Sequence, residues 1–455
     1  MFLAPDENVH VAHVQKYAET GGFTGGTLPG YRSTEQTEAS DALQSDYTAG
    51  DLLVQPTRDD RSYRAWLRHH FPAAARGDAA GPNAADSNPP LYYLAASVPY
   101  EIASGSDLFT RVMTMRLLGV LFAAALALAA WHLAAELLPE GPGRIVATAV
   151  TALFPMANFI EGSVSPDGAM YALWAFVFLA GVKALRGSGR WLIAMVLGVA
   201  LAMGVKYQST ALFPGVLLVL AVYGFRHWPV SWPRRPRSRF AVLAGTGLGV
   251  AVLAFLGGQR GWLGGQVQDA LSGTSGNSLG TTLRQYVSYL WQFYLPRPAF
   301  LTRFVMPSRI DPWHVLFHEY WGGFSFHEVQ FVGWIYFAIL GVLVLLVIGA
   351  ARALLCAGRL RRHGVILCYL ALAAITLFLG LHWTDYKMLL DGHPFIQGRY
   401  FLPLTPLLGL VAGAAVGPAL ASRPRLQPVA AGGLLGLLVL LNLLSFGIVL
   451  ERFYA

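Results

Sequence analysis

Met113-Thr114-Met115-Arg116-Leu117-Leu118-Gly119-Val120-Leu121-Phe122-Ala123-Ala124-Ala125-Leu126-Ala127-Leu128-Ala129-Ala130 opens the first run in this chain that is apolar for long enough to cross a bilayer, which takes ~20 largely apolar residues. Further runs follow, centred near Leu153, Phe176, Leu197, Leu217, Gly249, Leu340, Ala373, Leu410 and Leu438. With the first, centred near Ala125, they predict an all-α polytopic membrane protein with a bundle of about ten transmembrane helices. Composition agrees: hydrophobic residues make up 55% of the chain and charged ones only 13%, against about a quarter charged in soluble domains. The mean hydropathy is +0.48.

The formal charge of +8 does not point to nucleic acid, because the arginines lie in short blocks between apolar spans. Arg226 with Arg234, Arg235, Arg237 and Arg239 forms one block, Arg352 with Arg359, Arg361 and Arg362 a second, and Arg423 with Arg425 a third. Arg144 and the Arg186/Arg190 turn fall on the same side, which the positive-inside rule makes cytoplasmic. Nucleic-acid binding is rejected. The two cysteines, Cys356 and Cys368, offer neither a disulfide framework nor zinc spacing.

Four regions follow from this pattern. Residues 1–110 hold no span and read as a water-facing first loop with a helix and a mobile polar insertion from Thr34 to Ala85, whose Arg58-Asp59-Asp60-Arg61 is a solvated charge cluster. Residues 111–257 form a first transmembrane block, 258–330 an interfacial segment on the outer face, and 331–455 a C-terminal transmembrane block. Gly21-Gly22 should end the first helix. Asn88-Pro89-Pro90-Leu91-Tyr92-Tyr93 restores order, with both tyrosines as headgroup anchors. In the interfacial segment, Arg284 to Tyr294 mixes aromatic and polar residues at helical spacing and reads as an aromatic belt lying along the membrane, the outer-face cap of the bundle. Met1-Phe2-Leu3-Ala4 reads as the last apolar turn of a helix missing from the start.

The first loop also carries Pro5-Asp6-Glu7-Asn8-Val9-His10, with His13 a turn further on. Proline and acids suit a helix start, and helical spacing places His10 a turn above Asp6. The predicted topology gathers Asp6, Glu7, His10, Arg116, Asp167, Lys206, His393, Gln397, Arg399 and Tyr400 at the outer ends of spans. Singly, each has an ordinary role: Lys206 and Arg399 as snorkelling anchors, Asp167 as a helix cap behind Pro166, Arg116 as a headgroup contact. Together, acids and bases at one interface make a candidate site.

The elements Pro5-Asp6-Glu7 with His10, Asn88-Pro89-Pro90-Leu91-Tyr92-Tyr93, Ser165-Pro166-Asp167-Gly168, Lys206, Trp321-Gly322-Gly323-Phe324 and Gln397-Gly398-Arg399-Tyr400 with Pro403 resemble a family of predicted bacterial polytopic membrane proteins classed as a domain of unknown function. That family is similar in layout to the GT-C glycosyltransferases, which use polyprenyl-phosphate-linked sugars. The resemblance implies a GT-C-like bundle in the bacterial inner membrane with its active face extracytoplasmic. It implies transfer of a sugar from a polyprenyl-phosphate carrier to a glycan or lipid acceptor of the cell envelope, with membrane lipids as partners. By the same resemblance Asp6 is the general base, Glu7 a supporting carboxylate and Asp167 a second acid, while Lys206 and Arg399 hold the phosphate and His10, Arg116, Gln397 and Tyr400 complete its binding. No metal site is assigned, and a divalent cation bridging Asp6, His10 and Asp167 stays open as a cofactor.

Other function classes compete. A transporter or flippase would place ionisable residues or broken helices at mid-bilayer, and the last five spans have none near their centres. A non-catalytic envelope-assembly protein fits the topology equally. A polysaccharide polymerase or ligase would use a late outer loop, for which Arg284, Arg303 and Arg309 are the candidates.

Overall fold

In the computed structural model the described residues are 4–21, 32–42, 75–79, 83–227, 279–296, 311–325, 329–356, 359–390 and 395–454. The helices are α1 (Glu7–Thr20), α2 (Thr34–Ala42), α3 (Leu91–Ile102), α4 (Leu108–Leu137), α5 (Pro142–Ala152), α6 (Pro155–Glu161), α7 (Pro166–Leu185), α8 (Gly189–Val205) and α9 (Phe213–His227). They continue as α10 (Leu279–Tyr294), a π-helical turn (Trp313–His318), α11 (Glu319–Gly322), α12 (Gly333–Cys356), α13 (Arg359–Leu390), a 3-10 turn (Gly398–Leu404), α14 (Thr405–Val416) and α15 (Leu426–Tyr454).

Seven of the described helical segments are long and apolar enough to cross a membrane, or eight if the bent pair α5 and α6 is one span. The chain is thus an all-helical, multi-pass membrane protein. Compared with the run of spans read from sequence, the one centred near Leu153 falls on a 51° break. Pro155 explains that break, since it has no N–H to continue α5 and disfavours helix at Phe154 before it. The run near Leu197 forms α8, an apolar helix shorter than the others, and the run near Gly249 lies outside the described residues, as do the charge cluster at Arg58 and the arginines from 234 to 239.

Helix α7 is the centre of the bundle. It starts with Pro166 at the first turn and Ser165 as its cap, the hydroxyl accepting from the Asp167 N–H at 3.2 Å, and it is apolar on every side, the pattern of a helix surrounded by others. Its apolar stretch is 83% buried, whereas that of α15 is 11% buried and faces lipid. Trp174, Tyr171 and Phe178 on α7 are fully enclosed. Helices α5 and α14 meet backbone to backbone: a Cβ on Gly409 would lie 2.3 Å from the Ala147 carbonyl oxygen, and one on Gly413 2.4 Å from that of Gly143. Small residues at a helix crossing permit such an approach in a membrane.

The first loop is more ordered at its edges than its polar composition suggests. The start of the polar insertion, expected to be mobile, forms α2, which inserts Glu35 beneath α1 to pair with the buried Arg111 of α4. Gln15 donates to Glu35 at 3.0 Å and accepts from Ser33 at 2.7 Å. The charge of Arg111 thus fixes a segment whose low hydrophobicity alone would leave it unstructured. Gly21, at φ +69°, closes α1 with its N–H on the Tyr17 carbonyl at 2.8 Å, where a left-handed residue favours glycine.

The α5–α14 crossing yields a stability prediction. Gly409→Ala should lower the thermal midpoint of the purified protein by the cost of overpacking, about 1–3 kcal/mol. Gly436→Ala, on α15 with open space at its Cβ position, should be neutral or mildly stabilising, because alanine favours helix over glycine by roughly 0.5–1 kcal/mol. Equal midpoints for the two variants would refute this packing.

Candidate functional site

Asp6 occupies the N-cap position of α1 in the left-handed conformation, φ 63° and ψ 5°, and its side chain does not cap the helix. A non-glycine residue at positive φ is uncommon, although aspartate tolerates it better than most. Here the conformation turns the carboxylate away from the α1 N–H groups and onto Arg399, with Nη2 2.6 Å from Oδ2. The guanidinium is only 5% exposed, while the Asp6 side chain is 53% exposed. One partner is therefore fixed and the other faces the open side.

Arg399 is held from behind by Gln397, whose Oε1 accepts from Nε at 2.7 Å. A second ion pair, Lys206 Nζ to Asp167 Oδ1, lies beside the first. The Tyr400 ring sits between the two cations, 5.3 Å from the Arg399 guanidinium and 5.7 Å from Lys206 Nζ. Gln208 donates to the Tyr400 carbonyl at 2.6 Å, tying the Lys206 turn to the Gly398 turn. Burial pushes the Asp6 carboxyl up, but Arg399 above all, with His10 and Lys206, outweighs it and holds the group below its usual range.

His10 stands one turn from Asp6. Its Nδ1 is 3.0 Å from the Tyr93 hydroxyl, which also accepts from Asn88 Nδ2 at 3.0 Å. Burial drives the imidazole down to about 4, despite the opposing charge of Asp6. His10 is therefore neutral at physiological pH. Tyr92 and Tyr93, expected as headgroup anchors, are instead buried, 3% and 0% exposed: Tyr93 packs against His10 and His13 of α1, with His10 at its hydroxyl, and Tyr92 turns toward Phe122 of α4.

Glu7 goes elsewhere. Fully buried, it takes a two-pronged grip from Arg116, Nε to Oε1 at 2.8 Å and Nη2 to Oε2 at 2.7 Å, and accepts the Val164 N–H at 3.0 Å. Burial raises its pKa, yet Arg116 and the Val164 bond hold it low. The Glu7–Arg116 pair binds α1 to α4 and to the loop that presents Asp167.

Two features were not legible as site residues in the sequence. Glu319, in the segment expected to lie along the membrane surface, is buried and its Oε2 accepts the Gly398 N–H at 3.2 Å. Burial pushes its carboxyl up to about 7, against the opposing Gly398 bond and Arg399 charge. Gly398 lies so close that a Cβ there would be 2.4 Å from the Tyr320 nitrogen and 2.7 Å from the Leu316 carbonyl oxygen, so the turn that carries Arg399 docks on the π-helical turn. Nothing in the sequence marks Glu319, because only its burial sets it apart from other acids. On α10 the expected belt is divided: Tyr289 and Phe293 are buried against α13, with the Tyr289 hydroxyl donating to Asp385 at 2.7 Å, while Trp291 and Tyr294 are exposed. Asp385 also accepts the N–H groups of Phe395 and Ile396, both at 2.8 Å, and so anchors the strand leading to Gln397. His393, Arg303 and Arg309 lie outside the described residues.

Asp6, His10, Asp167, Lys206, Gln397, Arg399 and Tyr400 thus meet, and Glu7 with Arg116 brace them. Among the described residues no three His, Cys, Asp or Glu side chains are grouped so as to hold a metal ion. The sequence pattern of a family described as predicted membrane protein (DUF2142) matches residues 1–408. The chain belongs to this family. No curated protein matches it.

Two predictions separate bracing from chemistry. Glu7→Ala removes the buried carboxylate that ties α1 to α4 and to the Val164 loop and should cost about 1–3 kcal/mol, read as a lower thermal midpoint, whereas Asp6→Asn keeps an oxygen acceptor for the buried Arg399 and should lower it less. Similar losses in both would show that the two acids share one role. The second concerns Glu319, whose folded-state pKa is raised to about 7 from 4.5. Its stabilising contribution is full below about 4.5 and is lost as pH rises through about 7. The midpoint of the native protein should therefore fall between pH 5.5 and 8 more steeply than that of Glu319→Gln, and parallel pH profiles would exclude a buried neutral acid there.

Proposed function

We propose that this protein is a membrane glycosyltransferase of GT-C type that transfers a sugar from a polyprenyl-phosphate carrier to a glycan or lipid acceptor of the cell envelope. In this reading the bundle of about ten spans lies in the bacterial inner membrane, with the Asp6 face extracytoplasmic and the arginine blocks cytoplasmic. The observation that carries it is the side-by-side pairing of Asp6 with Arg399 and of Asp167 with Lys206. Glycosyl transfer from a lipid phosphate needs a carboxylate to take the acceptor's proton and cations to hold the departing phosphate.

In the proposed step the acceptor oxygen attacks the anomeric carbon and the bond from that carbon to the phosphate oxygen breaks. The acceptor proton passes to Asp6, and the electron pair leaves with the polyprenyl phosphate, which Arg399 and Lys206 hold. Arginine offers the two-pronged geometry that suits a phosphate. An Asp6 held low by Arg399 is a weak base, and the donor itself corrects this. When the phosphate engages Arg399, the cation that lowers Asp6 is shared and the phosphate's own negative charge faces the carboxylate, which becomes more basic in the loaded site. Asp167 orients the acceptor and positions Lys206. Neutral His10 adds an uncharged polar ring beside Asp6, and Glu7 with Arg116 keeps the α1 end in place.

The test is sugar release from a polyprenyl-phosphate-linked donor by the purified full chain. Asp6→Asn should lose roughly 10²–10⁴ in rate with the fold intact, and Arg399→Lys should raise the donor KM, since an ammonium cannot reproduce the fork. Full activity in Asp6→Asn would end the assignment of Asp6 as base.

A further inference from the structure

Between α3, α4, α7 and α8 lies a cavity of about 520 Å³ whose walls are almost wholly apolar. Tyr92 and Leu91 line one end together with Val205, and Trp191 and His132 line the other. At the helical rise of about 1.5 Å per residue, Trp191 to Val205 measures roughly 21 Å along α8, a large part of a hydrocarbon core about 30 Å thick. The cavity is a long groove running with the helices.

Its two ends differ. At the first, the wall residue Val205 is followed directly by Lys206, and the wall residue Ala169 lies only about 3 Å along α7 from the level of Asp167. That end lies at the level of the candidate site along the bundle, one residue from Lys206. At the other, Lys183 covers the Trp191 ring at 4.5 Å and pairs with Glu136 at 3.3 Å, and Arg186 joins Glu136. Charge closes that end. Sideways the groove is open, since its wall residues Leu128 and Leu201 are 61% and 48% exposed.

We propose that this groove seats the hydrocarbon tail of a polyprenyl monophosphate, with the phosphate at Lys206. Apolar walls of this length give a polar substrate no partners, whereas a tail lying there places its charged end at a cation. One groove admits one chain, which favours a single-tailed lipid phosphate over a two-chain phospholipid. The open side between Leu128 and Leu201 lets a tail longer than the groove leave into the bilayer. The proposal rests on the transferase reading for the identity of the head group alone.

The experiment uses the full chain in lipid nanodiscs and a long-chain polyprenyl monophosphate carrying a diazirine in its tail, with crosslinked peptides located by mass spectrometry. Labelling should concentrate on the groove faces of α4, α7 and α8. Ala125→Trp, which fills the groove from an exposed wall position, and Leu201→Trp, at the side opening, should each cut that labelling at least about ten-fold, equivalent to one decade of affinity. Ala124→Trp, exposed on the same helix but outside the wall, should not. Labelling spread evenly over α12 and α15, or indifferent to both plugs, or matched at the groove by a diazirine-bearing phosphatidylglycerol, would overturn the proposal. The transferase reading fails separately: sugar transfer without groove labelling sinks the groove alone, and groove labelling without sugar transfer sinks only the transferase.

Discussion

The ion pair between Asp6 and Arg399 spans 393 residues of sequence and ties the head to the C-terminal half of the bundle. A buried guanidinium is costly unless it is paired and hydrogen-bonded, and the surrounding structure reads as the means of meeting that condition. Gln397 satisfies Nε, Asp6 satisfies one terminal nitrogen, and the Tyr400 ring covers the face. Glu319 and Asp385 hold the backbone that leads into it, at Gly398 and at Phe395 and Ile396. Gln397 and Tyr400 flank Arg399 in its own turn, but Asp6, Glu319 and Asp385 come from three other elements, so the position of Arg399 depends on α1, α11 and α13 being in place together.

The same logic explains why the polar head is built as it is. Arg111 and Arg116, on one helix near its head-side end, each point into the protein and each receive a carboxylate from the head, Glu35 and Glu7. Long apolar helices supply no such anchoring between a soluble segment and a membrane bundle, because their exposed faces belong to lipid. The Glu7 pair and the Tyr93 hydroxyl add to the small apolar contribution of Val11 and Val14 on α1, which also buries His10, His13, Gln15 and Lys16, and the Glu35 pair anchors α2 in the same way.

Sequence made the spans legible because about twenty apolar residues in a row have one meaning in a lipid solvent. It also made Asp6, Asp167, Lys206 and Arg399 legible, since a charge at the end of a span stands out against an apolar background. What it hid were relations set by tertiary contact. The aromatic run on α10 has the composition of a membrane belt, and only the packing of α13 shows that Tyr289 belongs to the Asp385 cluster. Tyr92 and Tyr93 likewise carry the composition of anchors, and packing against α4 and α1 overrules it. Glu319 gave no signal, because burial rather than sequence spacing distinguishes it.

Asp6 and Glu7 show the limit most sharply, for neighbouring carboxylates in one motif look interchangeable. In regular helix their side chains would diverge by about 100° while both still lay at the positive end of the helix. The left-handed turn at Asp6 separates them further, so that one carboxylate is open to the face where a ligand would arrive and the other is enclosed with Arg116 and the Val164 N–H. Strain of this kind, costing roughly 1–2 kcal/mol, persists only where the surroundings fix it. The Glu7 clamp is what fixes it here: by immobilising the first turn of α1 it compels Asp6 to leave the helix in the one direction that meets Arg399. The acid without access to the open face therefore determines where the accessible acid points.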